Sequence, residues 1–409
     1  MRLESVTEYP REIDAWLAAH VAGLIAFRRN LHAHPELSGQ EYATSELVSE
    51  RLEVAGLATR GLASGTGLWC DIDPEGAKGS RLALRADLDA LAMSDEKDVH
   101  YRSQVPGVSH ACGHDVHTTV MLGTALYFAH HRELLPGRLR FIFQPAEERV
   151  PGGALDVIAD GGLDEVDAIV GLHCAPQYDV GQIGLRVGAI TSAADMATIT
   201  LIGPGGHTAR PELTVDMVVV AARLVHELPR RVAAMLDDPS DIKIVFGSIR
   251  AGDAANVIPT HSELKASIRT PSVEVWEKAE RFFERALADV LAESGAEFSL
   301  DYVHGAPPVV NDGPVTEMVR SAATSEFGLG AVTEAVQSWG GDDFAWYTRE
   351  LPGTYVRLGV HDPNSTEPRL DLHVGHFDVD ERAIAIGVRL MAATAEEFFA
   401  DHARIDAHD

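Results

Sequence analysis

Ser109-His110-Ala111-Cys112-Gly113-His114-Asp115-Val116-His117 packs a thiol, three imidazoles and a carboxylate into nine residues. Gly113 gives the backbone room to turn the side chains of Cys112 and His114 toward one centre. One isolated histidine in such a place is ordinarily a surface or capping residue. A Cys and a His one residue apart, beside further imidazole and acidic groups, have the composition of a metal-binding cluster. Two residues cannot fill a coordination sphere, so the fold has to deliver further ligands from elsewhere in the chain.

At 409 residues the chain predicts two domains. Its 45% hydrophobic and 23% charged residues are those of a soluble globular protein able to bury a large core. A net charge of −28 argues against nucleic acid or an anionic membrane as partner, because a polyanion is repelled over most of the surface. Cys70, Cys112 and Cys174 are too few and too odd in number for a disulfide framework, so a reducing compartment is expected. The N-terminal MRLESVTEYPREIDAWLAAH lacks the apolar core of a signal peptide, and no apolar run approaches the ~20 residues of a membrane span. A cytoplasmic protein is the expectation.

Upstream of the cluster, apolar spacing predicts a helix over 11–31, stopped at His34 by Pro35, and a second over about 41–55 closed by Gly56. Leu68 to Ile72 and Arg81 to Ala86 read as strands separated by a turn over Asp73 to Gly79. The second strand delivers Asp87 and Asp89 at its carboxyl end, where open α/β sheets bind ligands; either residue also reads as a helix cap. Thr118 to His131 continues the cluster as a helix.

Downstream, the strand Leu139 to Phe143 opens onto Gln144-Pro145-Ala146-Glu147-Glu148. Successive strand side chains face opposite ways, so one glutamate is expected to bind metal and the other to move protons. A turn and short helix follow over Pro151 to Gly162, and then a strand over Ala168 to Leu172 that ends in His173. Leu372-His373-Val374-Gly375-His376 precedes a final helix at about 380–400. Cys112 with His114, Glu147 with Glu148, His173 and His373 are therefore expected at one edge of one sheet. Five ligands exceed the needs of one tetrahedral zinc, which favours two metal ions sharing a bridging group.

Between about 187 and 300 the pattern changes. Strands are predicted over Met196 to Ile202, Ile242 to Ile249, Leu264 to Ile268 and Phe298 to Val303, with helices over Thr214 to Leu228 and Val273 to Ala292. That βαββαβ order is ferredoxin-like, and the piece interrupts the metal-bearing sheet. The expected fold is α/β with a central mixed sheet flanked by helices. The metal-binding domain occupies 1–186 and 303–409, and a lid or dimerisation domain occupies 187–302.

His110-Ala-Cys112-Gly-His114-Asp115, Arg85-Ala-Asp87-Leu-Asp89, Gln144-Pro-Ala-Glu147-Glu148, Gly203-Pro-Gly-Gly-His207, Asn256-Val-Ile-Pro259 and Leu372-His373 follow one another in the order found in the M20 metallopeptidase superfamily. The chain most resembles its amidohydrolase branch of aminoacylases, hippurate hydrolases and auxin-amino-acid conjugate hydrolases. The resemblance runs from His32 to Asp378. It implies a bridging Cys112, with His114, Glu148, His173 and His373 completing two metal shells and Asp89 orienting a ligand. Glu147 would be the general base and acid, taking a proton from metal-activated water and giving it to the leaving amine. It also implies that His207 stabilises the oxyanion, in many relatives from the partner subunit. Asn256 and Arg269 would lie at the substrate's acyl or carboxylate end, with Gly340 at the pocket wall. Where the family usually has Glu, this chain has Asp342, a shorter acid expected to alter the pocket floor.

The implied substrate is an N-acyl amino acid, and the implied cofactors are two divalent ions per subunit, Mn2+ or Zn2+ with Co2+ and Ni2+ as further options. A homodimer or higher homo-oligomer through the lid is implied as well. The competing readings are a dinuclear aminopeptidase or dipeptidase, a mononuclear zinc hydrolase, and a catalytically inactive binding protein of the same fold.

Overall fold

The computed structural model describes residues 12–74, 79–135 and 137–406. The described chain divides into two compact units. The first runs to Val187 and resumes over Asn311–Ala335 and from Tyr347 onward. The second comprises Gly188–Val310 and Val336–Trp346.

An eight-stranded mixed sheet forms the first unit, in the order Thr59–Gly61, Leu68–Ile72, Arg138–Gln144, Arg81–Asp87, Ala168–Asp179, Gly353–His361, Ile183–Leu185 and Val332–Glu334. Its four central strands are parallel. Every residue of Arg81–Asp87 is buried, as expected of a parallel strand covered on both faces. Helix His114–His130 is buried around most of its circumference and packs against Glu12–Ala33 and Arg382–Asp406. A helix apolar on every side belongs inside a core. Its first turn, His114 to His117, is buried with it.

Several expectations shift in this unit. The first helix spans Glu12–Ala33 and the second Tyr42–Val54, and the last extends over Arg382–Asp406. Most of the turn expected between Asp73 and Gly79 lies outside the described residues. The helix after the cluster begins at His114, four residues before the expected Thr118, and so takes a ligand candidate into its first turn. His173 was expected at a strand end but stands inside Ala168–Asp179, with the strand continuing beyond it. Parallel pairing with Gly353–His361 carries the strand on, with His173 opposite Arg357 and Cys174 opposite Leu358. Neither Gly353–His361 nor helix Gly313–Phe327 figures in the sequence reading.

The second unit has a four-stranded antiparallel sheet in the order Lys243–Arg250, His261–Arg269, Asp195–Ile202 and Glu297–Val303. Helices Met217–Ala233 and Val273–Leu291 are strongly amphipathic, with Leu224, Leu228, Phe283 and Leu287 buried. Counting the strands of this sheet and these two helices, the chain order is strand, helix, two strands, helix, strand. Helix Met217–Ala233 was expected to stop at Leu228 but passes through Pro229. The missing N–H costs a backbone bond, yet Leu228 and Val232 bury on the same side of it. Residues 303–310 and 336–346 join this unit, so its boundaries differ from 187–302.

Candidate metal centre

Gly113 precedes the first turn of helix His114–His130 with φ 90° and ψ 14°. A Cβ there would lie 2.8 Å from the Cys174 Sγ, so the position needs both left-handed freedom and the absence of a side chain. The bend directs Cys112 and His114 to one centre. Cys112 Sγ lies 3.3 Å from His173 Nε2 and 3.4 Å from His373 Nε2. His114 Nε2 lies 3.9 Å from both Glu147 Oε2 and Glu148 Oε1, and Glu148 Oε1 is 3.1 Å from His373 Nε2. Two residues that aim these groups have left-handed backbones despite carrying side chains: Ala146 with φ 55° and His373 with φ 60°. Strain of about 1–2 kcal/mol at each is held by the surrounding structure.

The expectation that only one of the paired glutamates could face the centre fails. The strand ends at Gln144, and the left-handed turn at Ala146 releases Glu147 and Glu148 from strand alternation. Both carboxylates then reach His114.

Three sets of donors converge, each with ligand atoms within 4.8 Å of one another: Cys112, His114 and His173; Cys112, Glu148 and His373; His114, Glu147 and Glu148. Cys112, His114 and Glu148 each belong to two of these sets. One of these buried donor atoms, His114 Nε2, has no hydrogen-bond partner among the described residues, and Glu148 Oε1 is met by His373 Nε2 at 3.1 Å. A buried polar atom left unpaired costs about 1–3 kcal/mol, and a cation held by His114 Nε2 would remove that cost. The donor set of thiol, imidazole and carboxylate fits a divalent metal.

The surrounding contacts fix which ring nitrogen faces inward. His114 Nδ1 donates to the backbone oxygen of Asp89 at 2.9 Å and lies 3.3 Å from its Oδ1. The other Asp89 oxygen accepts from the Glu148 backbone N–H at 2.9 Å and from Ser38 Oγ at 2.6 Å. His173 Nδ1 donates to the Cys174 carbonyl at 2.7 Å, which leaves its Nε2 toward Cys112.

Charge agrees with this picture. Burial alone would lower the His114 imidazole, but Asp87 and Asp89 outweigh it and raise it to about 10. Burial, then Glu148 and Glu147, push the Cys112 thiol well above its usual value. Burial, then His117 and Arg357, hold His173 far below its usual value and therefore neutral. Protons thus gather where cations would replace them, since a bound cation inverts the local preference.

Asp87, His114 and His117 also converge, but His117 has no ring nitrogen to spare. Its Nδ1 donates to Asp87 Oδ1 at 2.6 Å and its Nε2 accepts from the Cys174 N–H at 2.7 Å. Arg85 neutralises Asp87 through a 2.6 Å bond to Oδ2. The His110 ring nitrogens find no partner among the described residues, and His110 joins none of the three ligand sets.

Four predicted residues belong to the second unit. His207 is exposed, pairs with Val257 across a two-stranded ladder, and accepts from the Ala209 N–H at its Nδ1. Asn256 is exposed beside it, its carbonyl 3.4 Å from the Thr208 N–H. Arg269 ends the strand His261–Arg269 and donates from Nε to Ser267 Oγ at 3.2 Å. The Gly340 carbonyl accepts from the Ser192 N–H at 2.9 Å. Asp342 is buried and its Oδ1 accepts from the Phe344 N–H, so the shorter acid is engaged with its own turn.

A family model described as peptidase family M20/M25/M40 matches residues 83–397, a span that includes every metal-ligand candidate. The chain belongs to that family. It is 35% identical over 361 residues to N-acetyl-L-cysteine deacetylase of Bacillus subtilis, covering 88% of this chain and 84% of the relative. A Bacillus subtilis crystal structure, YXEP, described as a dinuclear metal binding peptidase of family M20, superimposes with a TM-score of 0.80 at 32% identity, covering 94% of this chain and 99% of that one. A Rhodococcus jostii protein carrying the name glutamate–cysteine ligase 2-3 is 44% identical over 370 residues, 90% of this chain. The chain spans only 46% of that protein's length, so the ligase name describes a longer molecule.

The sequence of this M20 chain assigns no role to His117, Arg85 or Tyr347, and places Asp87 only as a strand-end carboxylate or a helix cap. The signal for His117 was its spacing of three from His114, which places both on one helix face. Tyr347 donates to Gln144 Oε1 at 2.9 Å, which also accepts from Arg85 at 2.8 Å. Nothing local marks that contact, because 203 residues separate Tyr347 from Gln144.

Proposed function

We propose that this M20 protein is a metal-dependent amidohydrolase that cleaves the amide bond of an N-acyl amino acid. The observation that carries the reading is the sharing of Cys112 and Glu148 between convergent donor sets, with Glu147 at the same centre. Cys112, His114, Glu148, His173 and His373 would hold two divalent ions, Mn2+ or Zn2+ with Co2+ and Ni2+ as alternatives. Such ions supply Lewis acidity to the amide carbonyl and make water a nucleophile near neutral pH.

The protein's own groups do the rest. Asp89 holds the Nδ1 side of His114 and the backbone of Glu148, so both donors are set before any ligand arrives. Glu147 accepts the proton of the attacking water and delivers it to the departing nitrogen. Glu148 Oε1 lies 3.1 Å from His373 Nε2, which suits the binding role, and Glu147 is assigned the mobile proton.

In the second unit, which we read as a ferredoxin-like lid, His207 is assigned to the oxyanion and Asn256 to the acyl group. Arg269 is assigned to the substrate's free carboxylate, and Gly340 to the pocket wall. Self-association through that unit, as a homodimer or higher homo-oligomer, is part of the proposal. So is a cytoplasmic location, which suits three free cysteines. Among the described residues no helix is long and apolar enough to cross a membrane.

The test is metal-free protein reconstituted separately with manganese, zinc, cobalt and nickel, and assayed on N-acetyl amino acids, N-benzoyl amino acids and free dipeptides. Turnover of the N-acylated set, abolished by chelator, with two ions per chain by metal analysis, is the expected result. Turnover of free dipeptides alone would move the assignment to a dipeptidase. One ion per chain would favour a mononuclear centre.

A further inference from the structure

The sheet of the second unit carries its helices on one side only. In strand His261–Arg269 the buried residues are Ser262, Leu264, Ala266 and Ile268, so Glu263, Lys265, Ser267 and Arg269 point to the other face. Lys243 stands directly opposite Arg269 in the antiparallel ladder, which puts both side chains on that same face. Two like charges in opposed positions repel and destabilise a sheet. Elsewhere on this face the protein avoids the problem, since Lys265 lies 3.6 Å from the Glu263 carboxylate.

No such relief exists at the Arg269 end. Among the described residues no carboxylate lies within ion-pair distance of Arg269 or Lys243, in a chain with 62 acidic residues against 34 basic ones. Asp195, the carboxylate whose charge reaches Arg269, already accepts from Trp276, Tyr302 and Gly305. The Arg269 guanidinium is partly buried, and burial lowers its pKa from the usual value. Among the described residues its one hydrogen bond is to Ser267, through Nε, with neither terminal nitrogen engaged. Lys243 Nζ is held 3.7 Å from the centre of the Trp339 ring, a cation–π contact that fixes it without neutralising it. A Cβ at Gly341 would come within 3.3 Å of Arg269 Nη1, so the following loop closes against the guanidinium and glycine leaves its edge clear.

We infer that Arg269 and Lys243 together form a site for a dicarboxylate, which makes the acidic amino acids, glutamate or aspartate, the amino-acid half of the conjugate. This rests on the N-acyl amino acid reading given above and extends it by adding Lys243 as the group that selects the side chain. Arg269 pairs with the carboxylate every N-acyl amino acid carries, by two parallel N–H donors. Lys243 takes the second carboxylate, present only in the acidic pair. Trp339 supplies an apolar wall for the short aliphatic chain between them.

The deciding comparison is N-acetylglutamate against N-acetylglutamine, which differ in charge and hardly in shape. The metal-loaded enzyme is expected to favour N-acetylglutamate in kcat/KM by about tenfold or more. Lys243→Met brings that ratio close to one, Lys243→Arg restores most of it, and Lys243→Glu inverts it. Equal rates on the two substrates in the wild type, or an undiminished ratio in Lys243→Met, overturns the inference and leaves the N-acyl amino acid reading standing. If no N-acyl amino acid is turned over at all, that earlier reading fails by itself. Calorimetry with glutarate then decides the site, with binding by the wild type and at least about tenfold weaker binding by Lys243→Met expected. No glutarate binding by the wild type would also overturn it.

Discussion

Asp89 touches two donors at once, through the His114 ring and the Glu148 backbone, and is itself buried. Asp89→Asn keeps the shape but removes the charge that polarises His114, so metal affinity is expected to fall by about 10–100-fold, measured by competition with a chromophoric chelator. Unchanged affinity would mean the backbone carbonyl alone orients the ring. Glu147→Ala should behave in the opposite way. Metal content stays at the wild-type level while turnover falls by ~10²–10⁴-fold, the usual worth of general acid–base catalysis; retention of more than about a tenth of the rate contradicts the role. At this scale much of the centre was legible, because Cys, His and Glu crowded into short motifs have few other uses. Asp87 and His117 were harder to read. Both occur inside the decisive motifs, but their pairing with each other and with Cys174 depends on where a helix and a strand meet.

Helix starts and strand ends decide what those residues can do. The helix beginning at His114 depends on Gly113, and Gly113→Ala would add a Cβ 2.8 Å from the Cys174 sulfur on a left-handed backbone. Strain and overpacking together are expected to cost of the order of 2–5 kcal/mol, read from urea midpoints in the presence of chelator so that metal loss does not contribute. Gly23→Ala is the contrasting case. Gly23 lies in the interior of helix Glu12–Ala33, exposed, with nothing within 4 Å of the added methyl, and the change should stabilise by about 0.5–1 kcal/mol. A Gly113→Ala midpoint equal to wild type would mean the cluster tolerates an ordinary backbone. The extension of the His173 strand was hidden for a related reason. Pro176 reads locally as a terminator, whereas the parallel partner Gly353–His361, nearly two hundred residues away in sequence, carries the pairing past His173. Glu147 and Glu148 taught the same lesson, since alternation holds only as far as the strand does.

For the whole molecule, the insertion separates two hydrophobic cores. One is built around Val120, Phe141, Val170 and Leu358, and the other around Ile199, Leu224, Leu264 and Phe283. The change of pattern at about 187 made the insertion readable, but the return of 336–346 to the second unit was not, because that short stretch carries no period of its own. All five proposed metal ligands belong to the first core's unit. Metal that binds only the folded form stabilises by mass action, about 4 kcal/mol at a thousandfold excess over its dissociation constant, or roughly ten degrees in a unit of this size. Scanning calorimetry of the intact protein should therefore show one transition that rises by that amount on adding manganese or zinc and falls on chelation. The transition of the second unit, with its own core and none of the ligands, should stay within about two degrees. If both transitions move together, the units unfold as one cooperative body and the separation of cores does not govern stability. If neither moves, the cations do not hold the cluster as proposed, and the unpaired His114 Nε2 needs another partner.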